Sequence, residues 1–96
     1  IKMIEKLLGE ISKDGLSVYG FNETKQASKL GAIKTLYVCD NLIQEKRLDN
    51  TFNELEQIMK LVDDQKGNVH IISSSHDGGK KLSGLGGIGA LLRYNI

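Results

Sequence analysis

The stretch that decides the fold is Val18-Tyr-Gly-Phe-Asn-Glu-Thr-Lys-Gln-Ala-Ser-Lys-Leu-Gly-Ala-Ile-Lys-Thr-Leu-Tyr-Val-Cys-Asp-Asn41. It reads as a short strand, a turn at Gly20, a helix, a glycine stop at Gly31 and a second strand. Asn22 is the expected N-cap, because a short side-chain oxygen can take up an otherwise unpaired amide. Glu23 then puts negative charge where the helix dipole favours it. Gly31 stands where a helix end needs a residue that accepts positive φ. Leu36-Tyr37-Val38-Cys39 is apolar on both faces, the pattern of a parallel strand covered by helices on each side. A strand–helix–strand unit of this kind predicts an α/β layer architecture with a right-handed crossover.

On the N-terminal side, Ile1, Ile4, Leu7, Leu8 and Ile11 recur at helical spacing opposite Lys2, Glu5, Lys6 and Lys13. This predicts a first helix to about Lys13, stopped at Asp14-Gly15. On the C-terminal side, Leu42 to Asn50 is polar and reads as a loop with a partial helical turn. Thr51-Phe-Asn-Glu54 fits a capping box, and Phe52, Leu55, Ile58, Met59 and Val62 form the apolar stripe of a third helix. Lys66-Gly-Asn68 turns the chain into a strand over Val69 to Ser73. A polar loop follows from Ser74 to Gly78, then a short helix from Gly79 to Ser83, a glycine-rich turn, and a last strand from Ala90 to Ile96.

The 96 residues suffice for one domain that buries about 60–65% of its unfolded surface. With 40% hydrophobic and 26% charged residues, the composition is that of a globular chain. Thirteen basic and 12 acidic residues leave a net charge of +1, which argues against the strongly basic footprint of most nucleic-acid binders. One cysteine in an apolar strand predicts a buried thiol and a reducing compartment. No apolar run approaches the length of a membrane span, and the expectation is a cytoplasmic protein with no membrane partner. Ile1, already inside a helical pattern, suggests a domain taken from a longer chain.

Five sets of residues invite chemistry. Gly84-Leu-Gly-Gly-Ile-Gly89 matches the dinucleotide fingerprint by letter, but that fingerprint needs a strand before it and a helix after it, the reverse of the order expected here. No cofactor is predicted. Gly79-Lys-Lys81 lacks the hydroxyl residue and upstream glycine of a phosphate loop. Asp40 and Ser73 to Asp77 fall near the C-terminal ends of adjacent strands, the usual ligand crevice of an open α/β sheet. They contain the letters of a nucleophile, a base and an orienting carboxylate. The plainer reading is that they cap the next helix. His70, His76 and Cys39 have no zinc-type spacing, so no metal is predicted. Gly20-Phe-Asn-Glu-Thr-Lys25, a glycine turn feeding a helix, is a candidate RNA contact through Asn22, Glu23 and Lys25.

Val18-Tyr-Gly followed by a helix, then Leu30-Gly-Ala-Ile-Lys-Thr-Leu-Tyr-Val-Cys-Asp40, resembles the third domain shared by class-one translation release factors and Pelota. The ending, Ile72-Ser-Ser-Ser-His-Asp-Gly-Gly-Lys-Lys-Leu82 with Gly86-Gly-Ile-Gly-Ala-Leu-Leu-Arg-Tyr94, is similar to the same domain. Ser74-Ser-His76 before Gly79-Lys-Lys-Leu82, and the lack of an insertion after Asp40, lean to the Pelota branch in its archaeal form; an insertion-free release factor is the alternative. The resemblance implies a three-layer α-β-α sandwich with a mixed, largely parallel sheet, like the kink-turn RNA-binding ribosomal proteins. It also implies a non-catalytic docking role in ribosome rescue and mRNA surveillance, with an elongation-factor-like translational GTPase, a ribosome-recycling ATPase and, through the full-length protein, the ribosome as partners. The partner surface implied by similarity comprises Leu7, Ile11, Tyr19, Leu85 and Ile88. A kink-turn reading would instead rest on Asn22, Glu23 and Lys25, and a small hydrolase on Asp40 and Ser73 to His76.

Overall fold

A computed structural model describes residues 2–13 and 15–94; Ile1, Asp14 and the 95–96 end of the expected last strand lie outside the described residues. The elements run α1 (Lys2–Ser12), β1 (Ser17–Tyr19), α2 (Phe21–Lys29), β2 (Ile33–Cys39), α3 (Asp40–Leu48), α4 (Phe52–Asp64), β3 (Asn68–Ile72), α5 (Asp77–Gly84) and β4 (Ile88–Leu92).

The four strands form one sheet in the order β1-β4-β2-β3. β4 runs antiparallel to both of its neighbours, and β2 pairs in parallel with β3. Three strands therefore point the same way and one runs against them. The expected strand–helix–strand unit is split, because β4 lies between β1 and β2. Ile88-Gly-Ala-Leu-Leu92 is apolar throughout, so it gains most from a site with neighbours on both edges and helices on both faces.

Helices cover both faces of the sheet. On one, Ala27, Leu42, Leu55, Ile58 and Val62 from α2, α3 and α4 pack on Leu36, Val38, Ile88 and Ala90. On the other, Ile4 and Leu7 from α1 and Leu82 from α5 pack on Tyr37 and Cys39. Alternation along β2 sends successive side chains to opposite cores, which is why this strand is apolar without a break.

Helices α2 to α5 all end the same way. The residue after each C-cap has positive φ: Gly31 at 69°, Asn50 at 60°, Lys66 at 65° and Gly86 at 108°. In each, the next amide reaches back to the last full turn, as Ala32 N–H does to the Ala27 carbonyl (3.1 Å) and Gly87 N–H to the Leu82 carbonyl (2.9 Å).

The sequence reading misplaced one helix start and expected one side-chain cap that does not form. Asn22 is not a cap. Gly20, with φ 88° and ψ 154°, holds the N-cap of α2 without a side-chain bond, leaving Asn22 two positions inside the helix. Thr51 holds the N-cap of α4 as expected, but without the side-chain bond of a capping box. Thr51 already closes α3 by donating its amide to the Lys46 carbonyl (2.9 Å), and its hydroxyl has no partner. The expected loop after Asp40 is α3, in which Asp40 in the first turn and Lys46 and Arg47 in the last match the helix dipole.

Candidate docking surface

Two glycine turns touch at the rim of the sheet. A Cβ built on Gly86, after α5, would lie 3.2 Å from the Gly20 Cα, between β1 and α2. This contact needs backbone on both sides, and it explains the glycine run better than any nucleotide does. A helix precedes the run and a strand follows it, so its amides open no helix onto a pyrophosphate.

The touching turns bring together part of the predicted partner surface. Tyr19 is 47% exposed and lines a cavity of about 360 Å³ with Ile11, Ser17, Val18 and Glu23. Leu85 is half-buried in the turn beside Gly20. Leu7 and Ile88, however, are 0% exposed and belong to the two cores. Their assignment to the partner surface is corrected. The same helical and strand stripes that suggested an apolar patch are consumed by the packing of α1 and β4.

A second cavity, of about 300 Å³, is lined by Gly86 of that contact together with Asn41, Leu42, Glu45, Ser83 and Gly87. The Asn41 amide donates to the Ser83 hydroxyl at 2.9 Å. None of these polar residues was singled out in the sequence, because Leu42 to Asn50 read as a loop. The charge order of α3 was the signal that could have found them.

The RNA set is divided. Asn22 and Glu23 are exposed in the first turn of α2. Lys25 turns to α4, where its Nζ lies 3.4 Å from the Glu54 carboxylate.

Beside the C-terminal end of β3 a cavity of about 270 Å³ is lined by Ile4, Ile71, Ile72, Ser73, His76, Gly78 and Gly79, while the polar groups between the ends of β2 and β3 bond one another. The Asp40 carboxylate accepts the Ser74 amide at 3.0 Å, and that bond is the main cause holding its pKa below the ordinary carboxylate value. The Ser73 and Ser75 hydroxyls bond each other at 2.7 Å. The Cys39 thiol donates to the Gly79 carbonyl at 3.3 Å. Burial, and then the Asp40 charge, push its pKa up, which leaves it a protonated apolar filler. The letters of a hydrolase are present, and the His76 amide donates to the Ser73 carbonyl at 3.3 Å, but among the described residues no hydrogen bond joins the His76 imidazole to a serine hydroxyl or to Asp40, so no nucleophile–base pair is assembled. The same residues close a turn.

The family model for eRF1 domain 3 matches residues 1–96, the whole chain. The chain belongs to the eRF1 domain 3 family. Among curated relatives of this eRF1 domain 3 chain, the protein pelota homolog of Pyrococcus furiosus is 42% identical over 96 residues, which are 100% of this chain and 26% of that protein. The protein pelota homolog of Methanocaldococcus jannaschii is 46% identical over 95 residues, 99% of this chain and 25% of that protein. The chain thus spans about a quarter of the length of these relatives.

Solved structures agree. Archaeoglobus fulgidus Pelota superposes with a TM-score of 0.89 at 35% identity, over 99% of this chain and 29% of that one. The ribosome-bound archaeal Pelota with ABCE1 gives 0.84 at 38%, over 99% and 26%. Dom34 of S. cerevisiae, a translation termination-like factor involved in RNA quality control pathways and interacting with Hbs1, gives 0.90 at 26%, over 99% and 27%. The three-layer sandwich of the eRF1 domain 3 chain is therefore the fold of the corresponding Pelota domain.

Proposed function

We propose that this chain is the non-catalytic docking domain of an archaeal Pelota-like factor that acts in the cytoplasm, in ribosome rescue and mRNA surveillance. Its partners would be an elongation-factor-like translational GTPase and the ATPase that splits ribosomes, with the ribosome engaged through the full-length protein. The likeness to Pelota over the whole chain carries this reading. An exposed aromatic beside a shallow cavity with apolar and charged walls is the usual anatomy of a protein-binding patch; Tyr19 supplies the aromatic, Ile11 and Val18 the apolar wall and Glu23 the charge, with Leu85 half-buried in the neighbouring turn. Leu7 and Ile88 have no part in it.

Calorimetric titration of the chain with the elongation-factor-like GTPase of an archaeon tests the reading. Binding at micromolar strength or tighter, weakened roughly tenfold or more by Tyr19→Ala with the melting temperature unchanged, is the expected result. Equal affinity of the variant would remove Tyr19 from the surface, and absence of binding would overturn the GTPase assignment.

A second reading is an RNA contact of the kink-turn type. The exposure of Asn22 and Glu23 at an uncapped helix start favours it, and the Lys25–Glu54 pair weighs against it. It predicts a salt-sensitive affinity for a kinked RNA that Asn22→Ala abolishes.

A further inference from the structure

We infer that the cavity between α3 and α5 is a socket for a basic side chain, an arginine, of the protein docked at Tyr19; the inference rests on the docking reading above. The lining is rich in acceptors. Glu45 is its one charged residue, and among the described residues no ion pair engages that carboxylate. Asn41 spends its amide nitrogen on the Ser83 hydroxyl, leaving its oxygen as an acceptor. The C-terminal end of α5 adds the negative pole of its dipole.

The cations nearby do not fill the cavity. Lys46, next to Glu45 in the chain, lies over the Phe21 ring at 4.0 Å, and Lys81 in the last turn of α5 is not part of the lining. What is missing is a donor. A guanidinium offers five N–H groups in a rigid plane, which fits a carboxylate bidentately with an amide oxygen beside it; the three donors of an ammonium point tetrahedrally and make no such fork. Leu42, 6% exposed, gives the aliphatic stem an apolar floor. Gly86 and Gly87 put no side chain across the mouth.

Position links the socket to the proposed surface. Gly86 of the socket lining touches Gly20, the residue that follows Tyr19, so one partner can set an apolar side chain beside Tyr19 and an arginine in the socket. Glu23 lines the apolar cavity as Glu45 lines the polar one, and both carboxylates favour a basic partner face.

The test is an NMR titration of the isotope-labelled chain with N-acetyl-arginine amide, against N-acetyl-leucine amide and sodium chloride at matched ionic strength. Saturable shifts are expected at the Asn41 side-chain amide and the Gly86 and Gly87 amides, with a Kd of about millimolar order, weakened roughly fivefold or more in Glu45→Gln. Shifts no larger than those of the salt control, or an unchanged Kd in Glu45→Gln, would overturn the socket. Titration of the GTPase separates the two readings. If Tyr19→Ala weakens that binding and Glu45→Gln does not, the docking surface stands and the socket falls. If arginine amide binds through Glu45 while the GTPase binds no form of the chain, the socket stands and the GTPase assignment falls.

Discussion

Arg93 Nη2 donates to the backbone carbonyl of Gln65 at 2.6 Å, joining the residue after β4 to the C-cap of α4. Its Nε donates to the Ile33 carbonyl at 3.1 Å, and its own amide to Ala32 at 2.7 Å. One guanidinium thus sits on a helix C-terminus and a strand start at once, with charge of the sign the helix dipole prefers.

Arg93→Ala is therefore expected to cost about 1–2 kcal/mol, since carbonyls closed by a charged donor return to water only in part. Arg93→Lys should recover less than half of this, because an ammonium cannot reproduce the fork. Urea unfolding of the three forms at pH 7 measures both.

Gly79 and Gly84 lie in the first and last turns of α5, and they should respond oppositely to alanine. A Cβ on Gly79 would run into the Ser73 carbonyl, which is backbone and cannot turn away; a Cβ on Gly84 meets nothing within 4 Å. Gly79→Ala is expected to destabilise by about 2–4 kcal/mol, and Gly84→Ala to stabilise by roughly 0.5–1 kcal/mol through reduced freedom of the unfolded chain. Thermal melts of the pair decide the matter.

Lys66 closes α4 with φ 65°, a conformation in which a side chain crowds the backbone. Lys66→Gly is expected to raise stability by about 0.5–1 kcal/mol, while Lys66→Val should lower it by more than that. Chemical denaturation curves for the two variants should move in opposite directions.

Asp40 makes stability depend on acid. Its folded pKa is held below the ordinary 3.8 by the Ser74 amide, so the folded state favours the carboxylate more than the unfolded state does. The stabilisation is fully present above the unfolded value and is lost as pH falls through the depressed folded value. Asp40→Asn should be less stable than the parent at pH 7, and the gap should begin to narrow below about pH 4 and close as pH passes under the depressed folded value. A gap that is constant from neutral pH into this acid range would rule out the carboxylate as its source.

Leu7→Ala and Ile88→Ala test the correction made to the partner surface. Each should cost about 2–5 kcal/mol of unfolding free energy through loss of buried contacts and the cavity left behind. At temperatures where the variants remain folded, partner affinity should be unchanged.

Local chemistry determined much of this protein. The stripe from Ile4 to Ile11, the unbroken run Leu36 to Cys39 and the glycine at 31 specify helix, buried strand and helix stop, because periodicity and left-handed φ act within a few residues. The turn of Asp40 with Ser73 to Asp77 was legible from the fold class instead: parallel strands deliver their C-terminal ends to one crevice. Tertiary structure decided what depends on pairing. Nothing local says that β4 enters between β1 and β2, since any apolar strand satisfies any edge until all edges compete. Nor does a stripe reveal which of its residues lie inside. Leu7 and Ile11 are four positions apart on one face, yet the first is sealed beneath α1 and the second reaches the cavity beside Tyr19. Thr51 shows the same limit at a helix end. Its letters fit a cap, but the amide that a capping box needs was already committed to α3, a contest between neighbouring helices that only the folded chain resolves.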